Sequence, residues 1–253
     1  MEKLEYEKSY KIPVYEIGFN GQLSPHSLFN YLQDIASEHA ESLRFGKDDL
    51  LKENRFWVLS RIAAQIIKWP GWEETLIVKT WPRGTDKVFA LRDFEVKYPD
   101  GRIVALASSS WLVLDRTTRR VQRPDSVLSS FNGGFPLNSS LGRNALKLEP
   151  VTEDLITSPP FRVRSSDLDI NFHVNNVIYL QWITDSYDPE FRMKHQPVFV
   201  EINYLAESRH NNEIVIRTST DKDHSLIFNH SVIRSVDNTE LCRVQVKWED
   251  CTQ

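Results

Sequence analysis

Asp169, Asn171 and His173 occupy alternate positions in the stretch FRVRSSDLDINFHVNNVIYL, residues 161–180, just ahead of an apolar run. If that segment is extended, period two sends an acid, an amide and an imidazole to one side. Such a group can orient a base, move a proton and hold a carbonyl oxygen. The run from Val177 to Ile183 reads as a buried helix whose N-terminus adjoins the cluster, and free N–H groups at that end can polarise a carbonyl. Plainer readings stand beside this one: Asn175 or Asn176 caps the helix, and Asp169 holds a turn. Glu207, between Leu205-Ala206 and Ser208-Arg209, is the second candidate, against its reading as a surface charge on an edge strand. Ser208 alone makes no nucleophile, because a serine needs a base held against it.

The elements that must position these residues follow from periodicity. Leu28, Leu32, Ile35, Ala36, Ala40 and Leu43 recur at helical spacing after Ser24 and Pro25, which suit an N-cap and a first turn. That predicts a helix from about residue 25 to the early forties. Residues 57–67, 75–81, 87–98 and 102–114 are rich in β-branched and aromatic residues and read as strands, the last two joined by a turn at Pro99-Asp100-Gly101. From Asp115 to Pro160 the character shifts to Arg, Ser, Asn, Gly and Pro, with breakers at Gly133-Gly134, Asn138-Ser139-Ser140 and Pro159-Pro160. This predicts a connector over 126–158 between an N-terminal domain, 1–125, and a C-terminal one, 159–253.

The two sides of the connector repeat one another in order. Tyr31-Leu32-Gln33-Asp34-Ile35 matches Tyr179-Leu180-Gln181-Trp182-Ile183 at an offset of 148, and Leu76–Thr80 matches Ile214–Thr218 at 138. Asp100-Gly101 and Trp111 then meet Asp237-Asn238 and Trp248 at 137. The falling offset places about ten extra residues in the first copy, roughly at Phe45 to Asn54. A helix followed by an antiparallel sheet buries its apolar face by lying in the curl of that sheet, so the expected fold class is α+β, a double hotdog. At offset 148 the counterparts of Asp169, Asn171 and His173 are Gly21, Leu23 and Pro25, and at 138 the counterpart of Glu207 is Trp69. The chemistry belongs to the second copy alone.

Composition narrows the function classes. A formal charge of −4 and a pI near 6.0 lack the basic balance of non-specific nucleic-acid binding. Two cysteines, Cys242 and Cys251, give neither a disulfide framework nor a metal-ligand spacing, which fits a reduced, cytoplasmic setting. No apolar run reaches the roughly 18 residues of a membrane span, and the N-terminus lacks an export signal's apolar core.

DLDINFHVNNVIYLQWI resembles the second-domain signature of the acyl-acyl-carrier-protein (acyl-ACP) thioesterases, the plant fatty-acid chain-terminating enzymes and their bacterial relatives. RFWVLSRIAAQIIKWPGWEETLIVKTWPRG, SSSWLVLDRTTRRVQRP and NYLAESRHNNE are similar to the same family, so the resemblance runs along nearly the whole chain. It implies hydrolysis of the thioester between a fatty acyl chain and the phosphopantetheine arm of acyl carrier protein, with no metal or dissociable cofactor. It puts Asp169, Asn171, His173 and Glu207 at the family's catalytic positions. Ser208 stands where the plant enzymes have a cysteine, which argues against an obligatory thiol nucleophile. Glu207 and His173 both remain candidates for the general base, with Asn171 and the helix amides holding the thioester oxygen. Asn175 and Asn176 are expected to bind substrate, as is Trp57 in an acyl pocket formed by the first copy. Arg116, Arg119 and Arg120, with Arg123, form the densest basic run and suit docking of an acidic carrier protein. An acyl-CoA thioesterase, a non-catalytic acyl sensor and a dehydratase are the competing readings, and a homodimer stays open.

Overall fold

The computed structural model describes residues 4–128, 135, 138–153 and 155–251, apart from the side chain of Ser126. The expected breaker at Gly133-Gly134 lies outside these residues. The chain divides into two compact units, Met1–Ala145 and Leu146–Gln253.

Unit 1 runs β1 (Tyr6–Lys11), α1 (Pro25–Ser42), α2 (Lys47–Lys52), β2 (Arg55–Ile66), β3 (Thr75–Asp86), β4 (Phe89–Lys97), β5 (Ile103–Asp115), β6 (Val121–Gln122) and α3 (Asp125–Leu128). Its antiparallel sheet has the order β1-β3-β4-β5-β2, with β6 on the end of β5. Leu28, Leu32 and Ile35 of α1 are buried, as are Leu76, Val78, Phe94 and Val104 of the sheet, and α1 lies against β1 and β3. Each such apolar side chain contributes about 1.5–3 kcal/mol. Pro25 sits at N1 as expected, but the Ser24 hydroxyl bonds Ser27 Oγ at 2.8 Å instead of capping a backbone amide.

Unit 2 runs β7 (Ile156–Thr157), β8 (Phe161–Arg162), α4 (Asn176–Asp185), α5 (Pro189–Lys194), β9 (His195–Tyr204), β10 (Glu213–Thr220), β11 (Ile227–Arg234) and β12 (Thr239–Asp250). Its order, β9-β12-β11-β10-β7 with β8 also on β10, repeats β2-β5-β4-β3-β1 of unit 1, with β7 and β8 together in the place of β1. Leu180 and Ile183 of α4 are buried, with Ile202, Ile214, Val232, Val244 and Val246 on its strands. The expected double hotdog is therefore the fold.

The duplication extends to irregularities. Val104 is the extra residue where β5 slips against β4, and Leu241 is the extra residue where β12 slips against β11, an offset of 137. Ser60 on β2 and Val198 on β9 bulge in the same way, 138 apart and opposite Trp111 and Trp248. The hairpin tips Gly101 and Asn238 both have positive φ, 91° and 53°, each following an aspartate that accepts the N–H of the residue after the tip, Arg102 or Thr239. Bulges are built features that bend a strand, so their repetition marks common geometry.

Two expectations are corrected. The burial pattern of the helices repeats at 148, but the turn before them repeats at 151. Gly18 N–H bonds Gln22 O (2.8 Å) as Asp169 N–H bonds His173 O (2.7 Å), and Ser24 N–H bonds Glu16 O as Asn175 N–H bonds Asp167 O. About one helical turn is missing between turn and helix in the second copy, so the counterparts of Asp169, Asn171 and His173 are Gly18, Asn20 and Gln22. The amide is common to both copies; only the acid and the imidazole are particular to unit 2. The surplus length is likewise not one insertion at Phe45–Asn54: α2 has α5 as its counterpart at an offset of 142, so about six of the extra residues precede α2 and about four follow it. Pro189 stops α4 from continuing, and Asp188 caps the new helix through Glu190 N–H at 2.7 Å. No described helix is long and apolar enough to cross a membrane.

Candidate active site

The segment ahead of α4 is a tight turn, not the extended stretch expected from its alternation. Leu168 and Val174 bridge across it, Phe172 N–H bonds Asp169 O at 3.1 Å, and Phe172 has φ 61°. The Asp169 carboxylate organises the turn from within: Oδ1 accepts the backbone N–H of Asn171 (2.7 Å) and of His173 (3.2 Å), and Oδ2 lies 3.4 Å from Asn171 Nδ2. The three residues cluster because the chain folds back on the carboxylate. Asp169 thus holds a turn, and in doing so it fixes the backbone of the other two.

A second loop meets this turn. The bulged Leu241 offers its carbonyl to Leu205 N–H and Ala206 N–H, pinning the segment after β9, and Val174 N–H donates to Ser208 O at 2.9 Å. The same bonds join Leu23 to Pro70 in unit 1, so Trp69, 5 % exposed, is indeed the counterpart of Glu207. Where unit 1 buries an indole, unit 2 presents a carboxylate 42 % exposed, with Glu207 Oε2 3.4 Å from His173 Nε2. Arg234 Nη1 donates to the Glu207 carbonyl at 3.3 Å and is itself held by Asp237 at 2.8 Å.

Arg209, which sequence reasoning passed over, places Nη2 3.4 Å from the same imidazole nitrogen. The signal available was its position two residues after Glu207 in a loop already singled out. Nε2 thus faces an acceptor and a donor at once, and its tautomer follows whichever it engages. Ser208 is fully buried, its Oγ donating to Asn212 Oδ1 at 3.1 Å, and Arg209 N–H shares that acceptor at 2.9 Å. The serine therefore shapes the loop.

At the start of α4, Asn175 is the N-cap: its side chain accepts Val177 N–H at 3.3 Å and its carbonyl accepts Ile178 N–H at 3.0 Å. The capping reading thus accounts for Asn175. Among the described residues the amide of Asn176 is the one first-turn donor with no acceptor. Below it, Tyr204 Oη donates to Asn176 O at 3.1 Å, and burial pushes the Tyr179 and Tyr204 hydroxyls far above the usual tyrosine range.

The remaining candidates belong to unit 1. Trp57 Nε1 donates to Phe45 O at 2.8 Å, and its ring packs on the cluster of Leu43, Phe45, Leu50 and Val113. Arg116, Arg119 and Arg120 are exposed on the β5–β6 hairpin, whose loop is organised by Asp115 accepting Thr117 and Thr118 N–H; Arg119 lies over the Phe56 ring at 5.1 Å.

Comparison with known proteins gives a consistent picture. Residues 3–130 match the family model for the acyl-ACP thioesterase N-terminal domain and residues 151–250 that for the C-terminal domain. The chain is 26 % identical over 238 residues to the chloroplastic oleoyl-ACP thioesterase of Coriandrum sativum, covering 87 % of this chain and 64 % of that protein. It is 27 % identical over 260 residues to the palmitoyl-ACP thioesterase of Cuphea hookeriana, covering 97 % and 62 %. The chain thus spans just under two thirds of these relatives. Among solved structures, an acyl-ACP thioesterase from Bacteroides thetaiotaomicron aligns at TM-score 0.79 and 25 % identity over 98 % of this chain and 99 % of that one. The 12:0-ACP thioesterase of Umbellularia californica shares the fold at TM-score 0.86 and 22 % identity, over 99 % and 96 %.

Proposed function

This chain belongs to the acyl-ACP thioesterase family, and from that premise we propose that it hydrolyses fatty acyl-ACP, releasing free fatty acid and ending chain elongation. The observation that carries the reading is the convergence of His173 and Glu207, from two separate loops, at 3.4 Å. Catalytic hydrogen bonds of this kind often tighten fully only in the complex with substrate.

Water attacks the thioester carbonyl, and as its oxygen forms the new bond to carbon the Glu207 carboxylate takes its proton. Asn171 Nδ2 and the Asn176 amide stabilise the negative oxygen of the tetrahedral intermediate. The proton held by Glu207 passes to His173 Nε2, and as collapse breaks the carbon–sulfur bond the imidazolium gives it to the departing sulfur, leaving both side chains as they began. The products are a carboxylic acid and a thiol. Asp169 acts through the backbone, holding Asn171 and His173 in place. No covalent acyl-enzyme is needed, and the burial of Ser208 agrees with that. We assign the acyl chain to unit 1, with Trp57 among its contacts, and the docking of the acidic carrier protein to Arg116, Arg119 and Arg120.

Measuring thiol release from acyl-ACP and from the corresponding acyl-CoA tests this reading. Faster release from the carrier-bound substrate is expected. Preference for acyl-CoA would substitute the coenzyme as substrate, and binding without release would make the protein a sensor.

A further inference from the structure

One residue of the turn before α4 is not explained by the needs of the fold. Phe172 has φ 61°, in the left-handed region that penalises any residue with a Cβ and is an outlier for a bulky aromatic. In unit 1 the same point of the same turn is Gly21, φ 77°. Glycine is thus the residue this backbone accepts without strain. Burial offers no compensation, since Phe172 is 77 % exposed. A strained backbone carrying an exposed ring persists where the side chain serves something outside the fold. Ile170 does not carry the same weight, because its unit 1 counterpart, Phe19, is exposed as well. Of these two exposed apolar side chains only Phe172 is particular to unit 2, and it stands between Asn171 and His173 in sequence.

We propose that Phe172 is a specificity-determining residue that packs against the pantetheine arm, on the thiol side of the scissile bond. This rests on the thioester-hydrolase reading above. A carrier protein is too large to enter a site where two loops meet, so its arm reaches His173 from solvent across the exposed side of the turn. Phe172, next to His173 in sequence, is on the solvent-exposed side of the turn. The arm is mostly amide, but it has one branched, fully apolar segment, the dimethyl carbon beyond its second amide, which an exposed ring can cover. The acyl tail is the alternative neighbour of the ring, and the experiment separates the two.

Two thioesters with the same acyl chain serve as probes: acyl-pantetheine, and acyl-N-acetylcysteamine, which keeps the first amide but lacks the dimethyl segment. The reading is the ratio of kcat/KM for the longer thiol over the shorter, in wild type and in Phe172→Gly. Glycine is what unit 1 uses here, so the turn is retained. Phe172→Asn, another residue type that adopts this backbone region, guards against an effect of added flexibility. Both variants are expected to lower the ratio about tenfold, as loss of an apolar contact does, with the loss residing in KM for acyl-pantetheine. An unchanged ratio overturns the proposal, whether both thioesters suffer equally, as for a ring on the acyl tail, or neither does. If wild type releases thiol from neither probe nor from acyl-ACP, the hydrolase reading itself fails and this one with it.

Discussion

Glu207 Oε2 stands 3.4 Å from His173 Nε2, although 33 residues separate the two in sequence and each sits on a loop. The contact exists because Val174 N–H reaches Ser208 O, so that the neighbours of these two residues, His173 and Glu207, are brought face to face.

That contact makes the first prediction. His173→Ala and Glu207→Gln should each lower kcat for acyl-ACP by about 10²–10⁴-fold, the usual yield of general acid–base catalysis, while thermal unfolding stays near wild type. The double variant should be little worse than either single one, because residues acting as a unit are not additive. Activity within a few-fold of wild type in both single variants would remove the pair from the mechanism.

Asp169 works through two backbone amides, so Asp169→Ala should loosen the turn as well as slow the reaction. Faster hydrogen exchange is expected at the amides of Asn171 and His173, which lose their acceptor. Asp169→Asn keeps one side-chain oxygen and should retain part of the protection. Unaltered exchange in the alanine variant would mean that the turn stands without its carboxylate.

Asn175 caps α4 through Val177 N–H. Asn175→Ala should cost about 1 kcal/mol in urea unfolding, and Asn175→Ser should recover most of it. A loss of activity without loss of stability would return Asn175 to a role in substrate binding.

His230 is buried in unit 2 between Tyr187 Oη (2.7 Å) and Thr218 Oγ1 (2.9 Å), and burial pushes its pKa from 6.5 down to about 3. The unfolded chain therefore binds a proton that the folded chain refuses between those values. Stability is fully present above about pH 6.5 and falls as pH drops toward 3, by about 1.4 kcal/mol per pH unit from this group alone. Its counterpart by strand register in unit 1 is Phe94. His230→Phe should be less stable near pH 7, with two hydroxyls stripped of their partner, yet show a shallower loss on acidification. An equal slope in both proteins would assign the acid sensitivity elsewhere.

Charge reversal at Arg116, Arg119 and Arg120 should raise KM for acyl-ACP more than for a small thioester of the same acyl chain, and the difference should shrink at high salt. Equal effects on both substrates would exclude a docking role.

Most of the architecture was legible in the linear chain. Apolar periodicity gave α1 and the four long strands of unit 1 to within a few residues, because helix and sheet each bury one face at a fixed period. The ordered matches gave the duplication, which the repeated bulges at Val104 and Leu241 express in geometry. The types of residue at 169, 171, 173 and 207 were enough to mark them for chemistry. Sequence could not show that Asp169, Asn171 and His173 come together by a turn instead of along a strand. Alternation looks the same in both, and the choice is made by the hydrogen bonds that amides further along donate to the Asp169 carboxylate. Nor could it show that the turn repeats at 151 while the helix repeats at 148, since residue identity follows the helix face and backbone bonding follows the turn. The nearness of Glu207, the presence of Arg209 beside His173 and the strain at Phe172 all depend on how two loops meet. Periodicity records which face of an element is buried, whereas contacts between loops arise only when the sheet brings distant backbone groups within bonding distance.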